Sequence, residues 1–289
     1  MFSLSSMKAM ERRPKVTVLH TNDTHSRIDP FPENHKSYPN QGGVSRRMSM
    51  INAIREQEEQ VLLLDAGDIF QGTPYFNVYK GEPELKLMSA MGYDAATMGN
   101  HDFDGGLEGF LDVLPHAGFP FLCANYDFKN TPIEGKTISH TVFQKGSIKV
   151  GVFGVGVELH GLVPANLYGA TKYIDPVKVA NEQATILRND YHCELVICLS
   201  HLGYNPRHNR MCDKVLAAET ENIDLIIGGH THTFMAEPEA AKNKAGKPVL
   251  INQVGWAGLV LGRIDFYFDE KGEPDLWATV RRSSNYLIA

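Results

Sequence analysis

Five apolar runs in this chain end on the same kind of polar cluster, and that repetition constrains the fold more than any other feature. Lys15-Val16-Thr17-Val18-Leu19-His20 leads into Asp23-Thr24-His25. Val61-Leu62-Leu63-Leu64 leads into Gly67-Asp68, and residues 93–98 lead into Gly99-Asn100-His101-Asp102-Phe103-Asp104. Leu195-Val196-Ile197-Cys198-Leu199 leads into Ser200-His201, and Ile223-Asp224-Leu225-Ile226-Ile227 into Gly228-Gly229-His230-Thr231-His232. Short apolar runs bounded by Pro, Gly and polar residues read as strands. In α/β sheets, ligand sites lie at the carboxyl ends of the strands. The five clusters therefore converge in space although they span 210 residues of sequence.

Helical spacing fills the gaps, over residues 44–59, 83–92, 106–116, 175–190 and 206–218. Further strands are expected at 119–124 and 148–155. Residues 25–43 carry Pro30, Pro32, Pro39 and the Gly42-Gly43 pair, which reads as a long loop. Loops of that length inside compact domains are usually functional or disordered. After residue 245 the alternation stops, and 249–254, 258–268 and 276–280 look like strands with no helix between them. A βα series followed by an all-β tail predicts an α/β fold with two packed sheets rather than one open sheet.

Composition removes several classes of function. With 28 basic and 34 acidic residues the net charge is −6, so no global basic field exists to hold a nucleic acid polymer or an anionic membrane. No run approaches the ~18 apolar residues of a membrane span. Residues 1–13 read as a flexible tail without a legible export signal. Cys123, Cys193, Cys198 and Cys212 form no CxxC pair and no disulfide framework, so buried free thiols are expected. An anionic substrate would need local attraction.

The clusters supply it. Residues two apart in an extended segment point the same way, so Asp23 with His25 can grip one ion, and His230 with His232 repeat the spacing. Alone, Asp-x-His is seldom a ligand pair, Gly-Asp is usually a turn, and a single His after a strand is usually structural. Their conjunction at five strand ends carries the argument. Asp23, His25, Asp68, Asn100, His201, His230 and His232 can fill two adjacent divalent sites. Mixed nitrogen and oxygen donors suit Mn, Fe, Zn, Co or Ni rather than Ca.

The order D-x-H, G-D, G-N-H-D, S-H, G-G-H-T-H resembles the calcineurin-like metallophosphoesterase superfamily. The segments LHTNDTHSRI, GGVSRR, LLLDAGDIFQGTPYF, YDAATMGNHDFDGG, CANYDF and IIGGHTHTF are similar to the catalytic domain of bacterial 5′-nucleotidases, over roughly residues 14–283. The resemblance implies a four-layer αββα sandwich of two mixed sheets flanked by helices, spanning 14–289 as one catalytic domain. It implies a first metal on Asp23, His25, Asp68 and His232 and a second on Asp68, Asn100, His201 and His230, with Asp68 bridging. The ions would be drawn from Mn, Zn, Fe, Co or Mg. His232 stands where the family often has Gln. His101 resembles the family's catalytic histidine and Asp104 its carboxylate partner. The implied activity is hydrolysis of phosphate monoesters, foremost 5′-nucleotides, by a hydroxide shared between two metals.

Alternatives on the same site are a cyclic nucleotide phosphodiesterase, a nucleotide-sugar pyrophosphatase and a thiosulfohydrolase. The family's C-terminal nucleoside-binding domain has no counterpart in this sequence, so a separate chain of that type is an expected partner. The resemblance also implies a periplasmic or cell-surface location. Asn125 and Arg46 are substrate-contact candidates; Arg46 and Arg47 could touch phosphate, with a solvated helix face the simpler reading of both. Trp256 and Phe234 read as core or pocket wall, and His116, His160 and His192 as lying outside the constellation.

Overall fold

The computed structural model of the chain describes residues 14–205, 211–269, 272, 274, 275 and 284–288. With elements numbered in chain order, β1 (Lys15–Thr21), β2 (Val61–Asp65), β3 (Ala95–Ala96), β12 (Val260–Tyr267) and β13 (Ser284–Leu287) form one sheet, ordered β13-β12-β1-β2-β3. The β1, β2 and β3 strands run parallel, whereas β12 pairs antiparallel with both β1 and β13. A second sheet has the order β10-β11-β9-β8-β6-β5. Its strands are β5 (His140–Lys145), β6 (Ile148–Gly156), β8 (Leu195–His201), β9 (Leu225–Gly228), β10 (Glu239–Lys242) and β11 (Pro248–Asn252). Its four inner strands are parallel and both edges antiparallel. A small ladder joins β4 (Tyr126–Asp127) to β7 (Lys172–Tyr173).

Strand alternation explains the stacking. Val16, Val18, Leu62, Leu64, Ile264 and Phe266 of the first sheet share one buried cluster with Val150, Val152, Leu195, Ile197, Leu199 and Ile227 of the second. Each such side chain, fully buried, contributes ~1.5–3 kcal/mol. The intervening residues face outward. Leu19, Leu63 and Leu261 meet α1 (Val44–Gln57), α3 (Glu82–Met91) and α4 (Gly106–Val113). Val196, Cys198, Ile226, Val249 and Ile251 meet α6 (Pro176–Asn189) and α7 (Asp213–Glu219). The result is the four-layer αββα sandwich with two mixed sheets. The Asp175 side chain caps α6 by accepting from the Lys178 amide at 2.9 Å, with Pro176 next in line. All four cysteines are free and buried. Among the described residues, no helix is long and apolar enough to cross a membrane.

Several expected elements differ. Residues 119–124 make only isolated bridges, Ala96 to Phe121 and Leu122 to Ile138, because Pro120 in their midst has no amide to donate. Residues 93–98 contribute only Ala95–Ala96, since the Asp94 carboxylate takes the Leu63 amide at 2.8 Å instead of leaving it to a ladder. The helix expected from residue 206 starts at Asp213. Residues 1–13, 206–210 and 276–280 lie outside the described residues. The short helices α2 (Pro74–Tyr79) and α5 (Ala165–Tyr168) and the edge strands β5 and β10 went unread in the sequence.

Candidate metal centre

Every cluster read from the sequence leaves the carboxyl end of its strand on the same side of the molecule. Asp23 and His25 follow β1, Asp68 follows β2, and His201 is the last residue of β8. Asn100 and His101 begin a 3-10 turn, Asn100–Phe103, after β3. His230 and His232 follow β9. Five of the seven ligand candidates have left-handed backbone: Asp23 (φ 50°), His25 (φ 49°), Asp68 (φ 55°), His230 (φ 69°) and His232 (φ 52°). Each such residue costs on the order of 1–3 kcal/mol and persists only where its surroundings over-determine it. Here they do. Asp23 and His25 donate their amides to Gly67 O and Asp68 O at 2.9 and 3.0 Å, and Ser26 donates to Ile69 O at 2.8 Å. The His230 amide donates to both Asp23 carboxylate oxygens at 3.0 Å. Gly67 (φ 87°) must be glycine, because a Cβ there would sit 2.5 Å from the Gly99 nitrogen.

Two groups of donors result, Asp23 with His25 and His232, and Asp68 with His201 and His230, each with its donor atoms within 4.8 Å of one another. The groups adjoin: His25 Nε2 lies 3.9 Å from Asp68 Oδ2, and His201 Nε2 lies 4.0 Å from Asp23 Oδ1. Asn100 Oδ1 meets His230 Nδ1 at 2.8 Å, which places the amide at the second group.

The donor chemistry fits metal ions. His201 Nδ1 donates to the Ala66 carbonyl at 2.7 Å, so in the neutral ring that a metal ion would bind, Nε2 carries the lone pair. That Nε2 is buried without a hydrogen-bond partner although Asp68 Oδ2 is 3.0 Å away. His25 Nδ1 likewise faces the Phe70 and Gln71 carbonyls at 3.3 and 3.1 Å, which leaves its Nε2 3.0 Å from His232 Nε2. Burial lowers the His25 imidazole's pKa, and burial together with His201 takes His230 down to about 4, so both stay neutral donors. Burial alone would lower His201 too, but the Asp68 carboxylate reverses that and lifts it to about 10.

His101 stands at the rim. Its Nδ1 bonds Asp104 Oδ2 at 2.8 Å, its ring centroid is 5.3 Å from that of His25, and its side chain is 38% exposed. The Asp104 bond holds its pKa above the ordinary histidine value. Its amide donates to Asp68 Oδ1 at 2.7 Å, which ties the pair to the ligand groups.

One residue was passed over in the sequence. The buried Asp102 carboxylate accepts from the amides of Asp68, Ile69, Phe70 and Gly99, at 3.0, 2.9, 3.1 and 2.8 Å. It holds the Asp68 loop in shape. The only sequence signal was a third acidic position in Asn100-His101-Asp102-Phe103-Asp104, and spacing cannot tell a loop clamp from a ligand.

The two substrate-contact candidates are each held by backbone contacts within the chain. Arg46 binds the Asn40 and Gly42 carbonyls at 2.6 and 3.1 Å and the Asn40 side chain at 3.1 Å, which pins the loop before α1. Asn125 is fully buried and exchanges two hydrogen bonds with the Gly156 backbone, at 2.9 and 2.8 Å. Arg47, expected on a solvated face, is buried. Trp256 stacks on His232 with ring centroids 5.7 Å apart, while Phe234 is half-exposed.

A family model described as calcineurin-like phosphoesterase matches residues 16–234. The chain belongs to the calcineurin-like phosphoesterase family. A snake venom 5′-nucleotidase of Gloydius brevicauda is 34% identical over 95% of this phosphoesterase and 48% of its own length. A 5′-nucleotidase precursor from Thermus thermophilus superposes with a TM-score of 0.84 at 30% identity, over 95% of this chain and 55% of that one. A calcineurin-like phosphoesterase from Bacillus subtilis gives 0.73 at 26% identity, over 96% and 91%. The chain spans about half the length of the curated 5′-nucleotidases it matches.

Proposed function

We propose that this phosphoesterase holds two divalent ions and hydrolyses phosphate monoesters, foremost 5′-nucleotides to nucleoside and phosphate. The adjoining groups Asp23/His25/His232 and Asp68/His201/His230, with His101 at their rim, carry this reading. Asp23, His25 and His232 hold the first ion, and His201, His230 and Asn100 the second, with the Asp68 carboxylate between them. When bound, such ions supply Lewis acidity toward phosphoryl oxygens and lower the pKa of water.

The chain's own groups do the rest. Two ligand carboxylates carry less charge than two divalent ions, so the loaded site attracts an anionic ester into an acidic protein. The carbonyls of Ala66, Phe70 and Gln71 fix the tautomers of His201 and His25 and keep their Nε2 atoms aimed inward. Asp104 holds the His101 ring by Nδ1, which leaves Nε2 to donate a proton to the departing ester oxygen or to stabilise charge on the phosphoryl group.

The nucleotide preference rests on the names of relatives at 30–34% identity. A phosphate-release screen tests it, with Mn²⁺, Co²⁺, Zn²⁺ or Mg²⁺ and with nucleoside monophosphates, cyclic nucleotides, nucleotide sugars and an aryl phosphate. Turnover of monophosphates that His101→Ala abolishes supports the reading. Release from the aryl ester alone overturns the nucleotide preference and points to a separate nucleoside-binding chain. No release from any ester, with metal bound, overturns the whole reading.

A further inference from the structure

Behind the metal loop lies a second polar space, lined by Thr24, Ser26, Ile69, Arg47, Glu84 and Met88 among others. Its wall interleaves with the ligand candidates: Thr24 stands between Asp23 and His25, Ser26 follows His25, and Ile69 follows Asp68. The chamber is thus the reverse side of the loops that present the donors.

Its polar groups are stranded. Arg47, Glu84 and Ser26 are only 4%, 5% and 1% exposed. Arg47 Nε and Nη1, Arg27 Nε, both Glu84 carboxylate oxygens and Ser26 Oγ are buried without a hydrogen-bond partner within bonding geometry. Leaving buried charges uncompensated costs several kcal/mol, and native folds meet such atoms with partners or ordered water. The space open to the centre of a water molecule is about 10 Å³, close to the ~10–15 Å³ that one ordered water requires. Two guanidinium groups, Arg27 and Arg47, and one carboxylate, Glu84, line it, so the chamber has no excess negative charge to hold a cation. A water there would find both donors and acceptors, within the ~2–4 partners that buried waters make.

We propose that the chamber binds one ordered water linking the Arg47 guanidinium, the Glu84 carboxylate and the Ser26 hydroxyl, and that Arg47 and Glu84 position the metal loop through it. Ser26 is the point of attachment. It is itself left-handed (φ 52°), its amide is bound to Ile69 O, and its carbonyl accepts from Thr73 Oγ1 at 2.8 Å. Its hydroxyl faces the Glu84 carboxyl, whose pKa burial raises and Ser26 pulls back down, and so points from the loop toward α3. The inference rests on the metal-binding reading above, for which Arg47 and Glu84 are outer supports.

The test has two parts on the full chain. Diffraction from the Mn²⁺-loaded protein should show one water within hydrogen-bond distance of Arg47, Glu84 and Ser26; a dry chamber, or an anion in it, overturns the proposal. Calorimetric titration with Mn²⁺ should then show Ser26→Ala binding ~10-fold more weakly, as outer-shell changes at metal sites do. Glu84→Met should lose both Tm and Mn²⁺ affinity. The double variant Arg47→Met/Glu84→Met should recover the Tm, because an apolar pair of similar volume replaces the buried charges. It should not recover the affinity, since the water bridge is gone. A merely structural pair would restore both together. Parent-like Mn²⁺ affinity in Ser26→Ala and in the double variant overturns the positioning role while leaving the metal reading intact. A parent that binds no Mn²⁺ overturns both.

Discussion

The two donor groups use the same residue types and the same burial, two buried members and one part-buried, and they differ in what holds the individual imidazoles. In the second group the side chains of His201 and Asp68 are 0% and 2% exposed, and His201 is held by a backbone carbonyl. In the first group His232 is 39% exposed and is held by the face of Trp256. Asn100 meets the part-buried His230 of the second group, while His101 and its exposed edge stand beside His25 in the first. A sealed site cannot exchange its donors for solvent, whereas an open one can. Under the metal-binding proposal, the buried His201–Asp68 pair would serve as the anchor, and the exposed edges of His232 and His101 would mark the side on which an ester arrives.

Opposite substitutions separate these tasks. His201→Ala removes an anchor that water cannot reach to replace, so the bound metal should fall from two equivalents to one by elemental analysis, with turnover below detection. His232→Ala opens a position that solvent can fill, so two equivalents should remain at saturating metal, with affinity ~10–100-fold weaker. Equal losses from the two variants would break the comparison. His101→Ala comes next in size. It should lower kcat by ~10²–10⁴-fold with both ions retained, the span expected for a lost proton donor. Loss of metal in that variant would instead make His101 a ligand.

Asp102 sharpens the anchor side. Its carboxylate takes four backbone amides that hold the Asp68 loop. In Asp102→Ala these donors are stranded, at ~1–3 kcal/mol for each that water fails to reach. The group that contains Asp68 should lose ~10–100-fold in metal affinity, the other group less. Paired titrations of Asp102→Ala in the His232→Ala and His201→Ala backgrounds would show which site suffers the larger loss.

Legibility followed the same division. The donors could be read in the sequence because Asp, His and Asn at strand ends are few, chemically distinct and brought together by α/β topology. Asp23, His25, Asp68, Asn100, His201, His230 and His232 all converge. The supports could not be read. Asp102 and Asp104 look alike in Asn100-His101-Asp102-Phe103-Asp104, yet one clamps amides and the other orients an imidazole. Arg46 and Arg47 are adjacent, yet one holds a surface loop and the other is buried, because a ~100° helical step turns neighbours to different surroundings. Asn125 follows an apolar run as the ligands do, but its amide closes on Gly156. In the fold, the central strands were legible as continuous apolar runs. The edges β5 and β10 were not, since half-exposed segments such as His140–Lys145 and Glu239–Lys242 lack that signature.

The smallest expected effect lies on β1, which leads into Asp23 and His25. His20 on β1 is fully buried, its Nε2 is 2.9 Å from Asn252 Nδ2, and burial takes its pKa down to about 3. The unfolded chain holds the same group near ~6.5. Above pH ~6.5 His20 is neutral in both states and pH has no leverage through it. Between ~6.5 and 3 the unfolded state binds the extra proton, so stability must fall as pH falls, by up to ~1.4 kcal/mol per pH unit. Acid also releases metal by protonating the histidine donors, so the measurement belongs on chelated protein. Urea unfolding at pH 7.5, 5.5 and 4.5 should show this slope in the parent and a shallower one in His20→Asn. If the two slopes coincide, His20 is not what makes the chelated fold acid-sensitive.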